Sequence, residues 1–379
     1  MIKEFEFINF FRAIAAFWVL AAHCMIWGGW YEIPIPEPKK AVDLFMMISG
    51  YLMAANAFSR NSFEPLSTKR NWLRFWLRRL FRLAPAYYIS LALAVVMSSY
   101  FLDGYQELQK LNPDKWPIGG TYDLRRIDYN FKNVIFHLSF LFGLHPTYSF
   151  STLLPDWSLS LEMQFYFVFP VLILLMNKFG FIKMGLAIGL SAMIVAVGIR
   201  KLLHINFYEP SFLFLKLQYF IAGILVFRVL GANLSIRVRF GLAACAILLV
   251  SLEYRNSKEL FVTPLLLLSM LVFGWLEAAN RMPVWMRSII SCRLTQFASD
   301  TSYGVYLCHG FFISASGLII ATQTELLVLP SHYRVLIMFL FVSTCAYFTA
   351  YAIFRLIELP GIRFGKQVIQ KFYPLKGIQ

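Results

Sequence analysis

The chain has 379 residues, of which 59% are apolar and 15% charged, and its formal charge is +15. Soluble domains are about 45–50% apolar and about 25% charged, so an ordinary water-soluble enzyme is excluded and the apolar surplus must face lipid. The basic residues fall in short blocks between apolar runs, not along one soluble face with interleaved aromatics, which favours anionic lipid over nucleic acid as the charge partner.

A hydrocarbon core about 30 Å thick takes roughly 20 helical residues to cross. In chain order the sequence predicts ten crossings: 8–27, 41–58, 76–101, 158–176, 183–200, 212–230, 240–252, 260–278, 300–320 and 335–357. The run at 240–252 is short and borrows from its flanks. Residues 133–144, which include His137, are expected to lie in the interface or re-enter without crossing. Counting that run as a crossing would invert every later segment and put the last basic clusters outside, against the positive-inside rule. The fold class read from the chain is therefore all-α: one polytopic bundle over 1–379 with both termini cytoplasmic. The stretch 102–132, with turn signals at Pro113, Pro117, Gly119 and Gly120, is expected as a periplasmic insert, and 361–379 as a cytoplasmic tail. The first segment resembles a signal peptide, but Arg12 and His23 inside its apolar run argue for a retained helix. Five cysteines without CxxC spacing suggest neither a disulfide framework nor a metal cage.

Ionisable side chains within a membrane are costly and mark pathways or active sites. Arg12 and His23 are eleven residues apart, which returns them to within about 20° of one helix face, about 16 Å apart along its axis. Snorkelling of Arg12 and a structural hydrogen bond from His23 account for them equally well when taken alone. In the run RNWLRFWLRRLFRLAPAYY, Arg79 and Arg82 share a face suited to gripping phosphate, while Arg70, Arg74 and Arg78 form a longer stripe with tryptophans between. A basic helix with tryptophans also serves as a plain lipid anchor. Asp156 opens the fourth crossing as a candidate cap and Glu162 follows it into the membrane. His309 sits about halfway along the ninth, where a lone histidine is more often packed than catalytic. The predicted directions put His23, Glu162 and His309 in the outer half and Arg12, Arg79 and Arg82 near the inner surface. That suits one passage with phosphate recognition at one mouth and acid–base chemistry near the other.

Six pieces stand in order along the chain: INFFRAIAAFWVLAAHC, DLFMMISGYLM, RRLFRLAPAYY, WSLSLEMQFYFVFP, SYGVYLCHGFF and a final IELP. In these pieces the sequence resembles the membrane acyltransferase family 3, which includes bacterial glycan O-acetylases. The resemblance implies a multi-pass protein of the bacterial inner membrane that moves an acyl group, commonly acetyl, from cytoplasmic acyl-CoA to a hydroxyl of a surface carbohydrate or lipid-linked saccharide. Acyl-CoA is then a consumed donor, with no permanently held cofactor and no metal. Carried over by motif, His23 and Arg12 are the essential pair, joined by Glu162 and His309 as catalytic candidates, while Arg79, Arg82, Arg78, Ser49 and Tyr303 are assigned to the donor. No soluble esterase-like domain is expected after the last crossing.

The chemistry expected is thioester-to-hydroxyl transfer. An unperturbed imidazole titrates near 6.5, so neutral His23 is available at pH 7 to take the acceptor proton. An acyl-His23 intermediate is the two-step variant. The competing expectation is a transporter or flippase that uses the same polar residues as a solute path and needs no acyl-CoA; a third is a non-catalytic scaffold.

Overall fold

A computed structural model describes residues 6–33, 35–117, 130–231, 234–252 and 259–374, and among them the regular structure is helical throughout. In chain order the helices are α1 (Glu6–Gly28), α2 (Pro38–Arg60), α3 (Lys69–Val96), α4 (Ser98–Lys110), α5 (Phe131–Leu138), α6 (Trp157–Phe179), α7 (Phe181–Lys201) and α8 (Leu217–Leu230). They continue with α9 (Ile236–Ser251), α10 (Val262–Ala278), α11 (Val284–Ile290), α12 (Arg293–Thr322), α13 (Thr324–Val328), α14 (Ser331–Ile353) and α15 (Leu359–Phe372). Seven helical segments are long and apolar enough to cross a membrane, and α8 and α10 are shorter apolar helices. The protein is an all-α, polytopic membrane bundle.

Side-chain ties at the helix ends show that successive crossings alternate between two faces. At one face the Glu277 carboxylate, from the end of α10, accepts from the N–H groups of Glu6 and Phe7 and so caps α1. Asn9 bonds Gln296 near the start of α12 there, and Arg228 at the end of α8 lies over Phe58 and Phe181, at the end of α2 and the start of α7. At the other face Arg334, near the start of α14, donates to the carbonyl of Gly28 at the end of α1, and Lys39 pairs with Glu209. The first face holds Arg60, Lys69, Arg70 and Arg293 and is the basic face.

Two expectations about element bounds are corrected. The third crossing does not run to residue 101: α3 stops at Val96, and α4 turns to pack along α12, with Gly104 seated against the backbone of Ser314. The stretch 102–110 is thus part of the bundle and not of a hydrophilic insert. Phe101, Tyr105 and Leu108 recur at helical spacing and are buried, which is why the segment packs. Residues 118–129 of the expected insert lie outside the described residues. The run 133–144 forms α5 and a 3-10 turn, Leu141–Leu144. Eight residues of α-helix span about 12 Å, too little to cross, so this hairpin dips into the bundle and leaves the direction of later helices unchanged. The short ninth-helix precursor at 240–252 does borrow from its N-terminal flank, since α9 starts at Ile236.

Small residues set the tightest contacts. A Cβ on Gly50 would meet the carbonyl of Phe220, and one on Gly223 would meet that of Met47, so α2 and α8 approach backbone to backbone. Pro170 inside α6 has no N–H to offer the carbonyl of Tyr166 four residues earlier. The indole N–H of Trp76 on α3 donates to that carbonyl at 3.0 Å. One missing helical bond thereby becomes a fixed tie between the helix of the arginine motif and the helix of Glu162.

Candidate active site

Towards the basic face, α1, α2, α3, α6 and α12 enclose a small chamber of about 90 Å³, lined by Arg12, Ser49, Arg79, Arg82, Glu162 and Tyr303 among others. Arg12 comes from the second turn of α1 and its Nη2 donates to Ser302 Oγ at 3.2 Å. Arg79 and Arg82 sit one turn apart on α3. The Arg79 guanidinium lies 5.8 Å from the ring centres of both Phe75 and Tyr166, and its Nε has no hydrogen-bond partner among the described residues. Glu162 is held from two sides, by Ser49 Oγ at 2.7 Å and Tyr166 Oη at 3.0 Å. Tyr303 donates to the carbonyl of Leu83, close to Pro85 in α3.

The sequence reading missed Glu358. It ends a five-residue π-helical stretch, Phe354–Glu358, that joins α14 to α15, and it is buried within electrostatic reach of Arg82 and Arg12. Its Oε1 also has no hydrogen-bond partner among the described residues. The IELP piece contained the residue, but a single acid beside a predicted helix end gave no sign of which way it would turn. The π-helical turn is what brings it inward, a distortion that frequently accompanies function. Arg12, Arg79 and Arg82 converge here with Glu162, while Glu358 and Asp300 lie within electrostatic reach of Arg12, and the unpartnered Arg79 Nε is a donor that an anionic ligand can engage.

Arg78, placed in the same set by its sequence position, stands elsewhere. Both of its terminal nitrogens bind Glu64, at 2.7 and 3.0 Å, and Arg60 and Arg74 bind the same carboxylate. Arg74 also donates to the carbonyl of Tyr373 just past α15. The arginine stripe therefore divides. Arg74 and Arg78 neutralise buried Glu64 and tie the two ends of the chain's basic face, while Arg79 and Arg82 face the chamber.

Towards the opposite face lies a larger chamber of about 1300 Å³, lined by His23, Trp27, Trp116, Lys39, Glu209 and His309 among others. The His23 and His309 rings are 5.1 Å apart between centres, inclined at 38°. His23 Nδ1 is 2.8 Å from the carbonyl of Val19, and His309 Nδ1 is 2.9 Å from that of Tyr306. A carbonyl can only accept, so in each neutral ring Nδ1 carries the hydrogen and the lone pair falls on Nε2. Trp27 stacks on Trp116 at 4.8 Å, giving the chamber an aromatic wall.

The structure brings His23 and His309 together as one pair, and Arg12, Arg79, Arg82, Ser49, Glu162 and Tyr303 together as another group. It does not put Glu162 with the histidines in the outer half. The α5 hairpin occupies the outer end of that position, so α6 begins at depth and Glu162 reaches Ser49 midway along α2. Asp156 stands at the N-cap position of α6, yet its carboxylate accepts from Tyr87 and Thr152 and not from the helix. In place of one passage the structure shows two separately lined chambers, with no lining residue common to both among those described.

Comparison with known proteins identifies the family of the bundle. A family model described as an acyltransferase domain matches residues 5–354. BcsY of Komagataeibacter xylinus, described as a membrane-bound transacylase, is 33% identical over 135 residues, covering 36% of this chain and 30% of its own. The peptidoglycan O-acetyltransferase OatA of Listeria monocytogenes is 31% identical over 177 residues, covering 45% and 24% respectively. A Caenorhabditis elegans protein named regulator of hypoxia-inducible factor 1 is 25% identical over 221 residues, covering 52% and 39%. The chain thus spans well under half the length of each of these relatives, and no solved structure matches it. With the family model covering nearly the whole bundle, both chambers included, the chain belongs to the family of membrane acyltransferases that this domain defines.

Proposed function

We propose that the protein is a membrane O-acyltransferase that moves an acyl group, acetyl in the first instance, from acyl-CoA to a hydroxyl of a cell-surface carbohydrate or lipid-linked glycan. In this reading the basic face is cytoplasmic, so both described ends of the chain lie on the cytoplasmic side and the protein sits in a bacterial inner membrane. The observation that supports it best is the pairing of an arginine chamber at the basic face with an imidazole chamber opening to the other, built on the two ends of the same α1 face.

Arg79 and Arg82, with Arg12, hold phosphate oxygens of the donor, and Ser49 and Tyr303 line the place where its arm enters. Glu162 and Glu358 keep the guanidinium groups oriented when the donor is absent. At the other chamber the acceptor hydroxyl gives its proton to His23 Nε2 while its oxygen attacks the thioester carbonyl. The C–S bond breaks, the CoA thiolate takes the proton back from the imidazolium, and an ester and free CoA result. His309 lies beside the ring and stabilises its charged form through the intervening space. The aromatic wall of Trp27 and Trp116 suits the apolar faces of a sugar ring, and the chamber is large enough for more than one ring.

The test separates this reading from that of a transporter. The purified chain in vesicles is given radiolabelled acetyl-CoA on the basic side and a glycan acceptor on the other. Ester-bound label on the acceptor, dependent on the protein, is the expected result; movement of unmodified glycan with no consumption of acetyl-CoA would overturn it.

A further inference from the structure

On α12 the lining of one chamber gives way to that of the other between Tyr306 and His309. Tyr306 lies three residues before His309, with the two ring centres 6.2 Å apart. Its ring lines the arginine chamber, whereas His309 lines the other. Its hydroxyl is 2.8 Å from Ser158 Oγ in the first turn of α6, and the Phe45 ring of α2 meets it edge-on at 6.3 Å. Three helices therefore converge on one phenol at the level where the histidine chamber stops and the arginine chamber begins.

We propose that Tyr306, latched to Ser158 and edged by Phe45, is the positioning residue that keeps the donor and acceptor chambers apart and swings aside when an acyl arm threads from the arginines to His23. The inference rests on the acyltransferase reading for what passes through, but the partition itself is a matter of geometry. The distance to be covered fits: eleven residues of α1 separate Arg12 from His23, about 16 Å of helix axis, so the thioester must travel inward past the level of Tyr306 to meet the imidazole. The one polar restraint on the ring among the described residues is a neutral hydroxyl–hydroxyl bond, a tie weak enough to break with each turnover; the rest is core packing, with the empty volume of the arginine chamber on one side. A phenol moves as a rigid plate about two side-chain torsions and needs no helix to shift. A closed partition serves the chemistry by keeping water in the large chamber from the thioester until an acceptor has filled it.

The experiment reads the partition without acyl chemistry. A cysteine is placed in the arginine chamber by Leu52→Cys, and the intact chain in oriented vesicles is exposed to the small anionic reagent 2-sulfonatoethyl methanethiosulfonate on the side to which the His23 chamber opens. The same chain without the added cysteine supplies the background. With Tyr306 in place labelling is slow. Tyr306→Ala accelerates it at least tenfold, and Ser158→Ala, which removes only the latch, accelerates it severalfold. Thermal unfolding is followed in parallel, and if Tyr306→Ala fails to fold, Ser158→Ala decides. Labelling equally fast in the parent chain and both variants, or equally slow in all three, would overturn the proposal. Full transfer by a His23→Ala chain would instead overturn the acyltransferase reading and leave the partition standing, so the two failures are distinguishable.

Discussion

The arginine chamber and the histidine chamber are built on the same helices yet solve opposite problems. The first is small and crowded with charge: Arg79 lies against the Phe75 and Tyr166 rings, Arg12 bonds Ser302, and Glu162 is held by Ser49 and Tyr166. The second is more than ten times larger, opens outward, and presents two imidazole rings whose Nδ1 atoms face backbone carbonyls. Buried charge needs partners on every side, so a site for an anion must be narrow. A base must meet a bulky alcohol, so a site for transfer must be wide. On the proposed function, the contrast makes α1 a rod joining two differently shaped rooms, with donor recognition at one end and proton transfer at the other.

The comparison breaks most sharply at His23. Replacing it with alanine in a stably inserted chain lowers kcat by about 10²–10⁴-fold, the usual contribution of a positioned general base, with donor binding unchanged; steady-state acetyl transfer and acetyl-CoA binding on one sample measure both. At the arginine end, Glu64→Ala leaves Arg74 and Arg78 without their buried anion and costs about 3–5 kcal/mol of stability, seen as a lower Tm, since the basic face loses the tie between α3 and the segment after α15. Replacing Arg79 and Arg82 together raises KM for acyl-CoA by about 10²–10⁴-fold, because two charge-assisted hydrogen bonds are lost and each contributes about 1.5–3 kcal/mol, and leaves acceptor KM nearly unchanged. Gly50→Ala forces a methyl group onto the Phe220 carbonyl and costs about 1–3 kcal/mol of stability by overpacking, loosening the α2 wall that carries Ser49. The smallest effect sharpens the division of the stripe: Arg78→Gln changes donor KM by less than about threefold, since that guanidinium serves Glu64 and the lost pair is only partly exposed.

Much of this was legible in the sequence and the rest was hidden for definable reasons. The all-α polytopic bundle was readable because a lipid-facing helix must be apolar for its whole length, and seven of the expected crossings fall on helices long and apolar enough to span. Arg12, His23, Arg79, Arg82, Glu162 and His309 were readable because ionisable groups are conspicuous in such runs. Helix periodicity put Arg12 and His23 on one face but could not say that two chambers, and not one passage, lie beside it, since Tyr306 is an ordinary aromatic in an apolar segment. Glu162 was set at the wrong depth because linear position cannot register a hairpin that displaces the start of α6. Arg78 was grouped with Arg79 because neighbours in sequence look alike until Glu64, fourteen residues away, claims one of them. Glu358 depended on a π-helical turn that no spacing rule announces.

The central claim is that donor recognition and proton transfer are separate functions at opposite ends of α1. Its most direct test is a single sample of His23→Ala protein in bilayers, assayed both for acetyl-CoA affinity and for labelled ester formed on a glycan acceptor. The account predicts parental affinity with transfer lowered by about 10²–10⁴-fold; ester formation at the parental rate would contradict it.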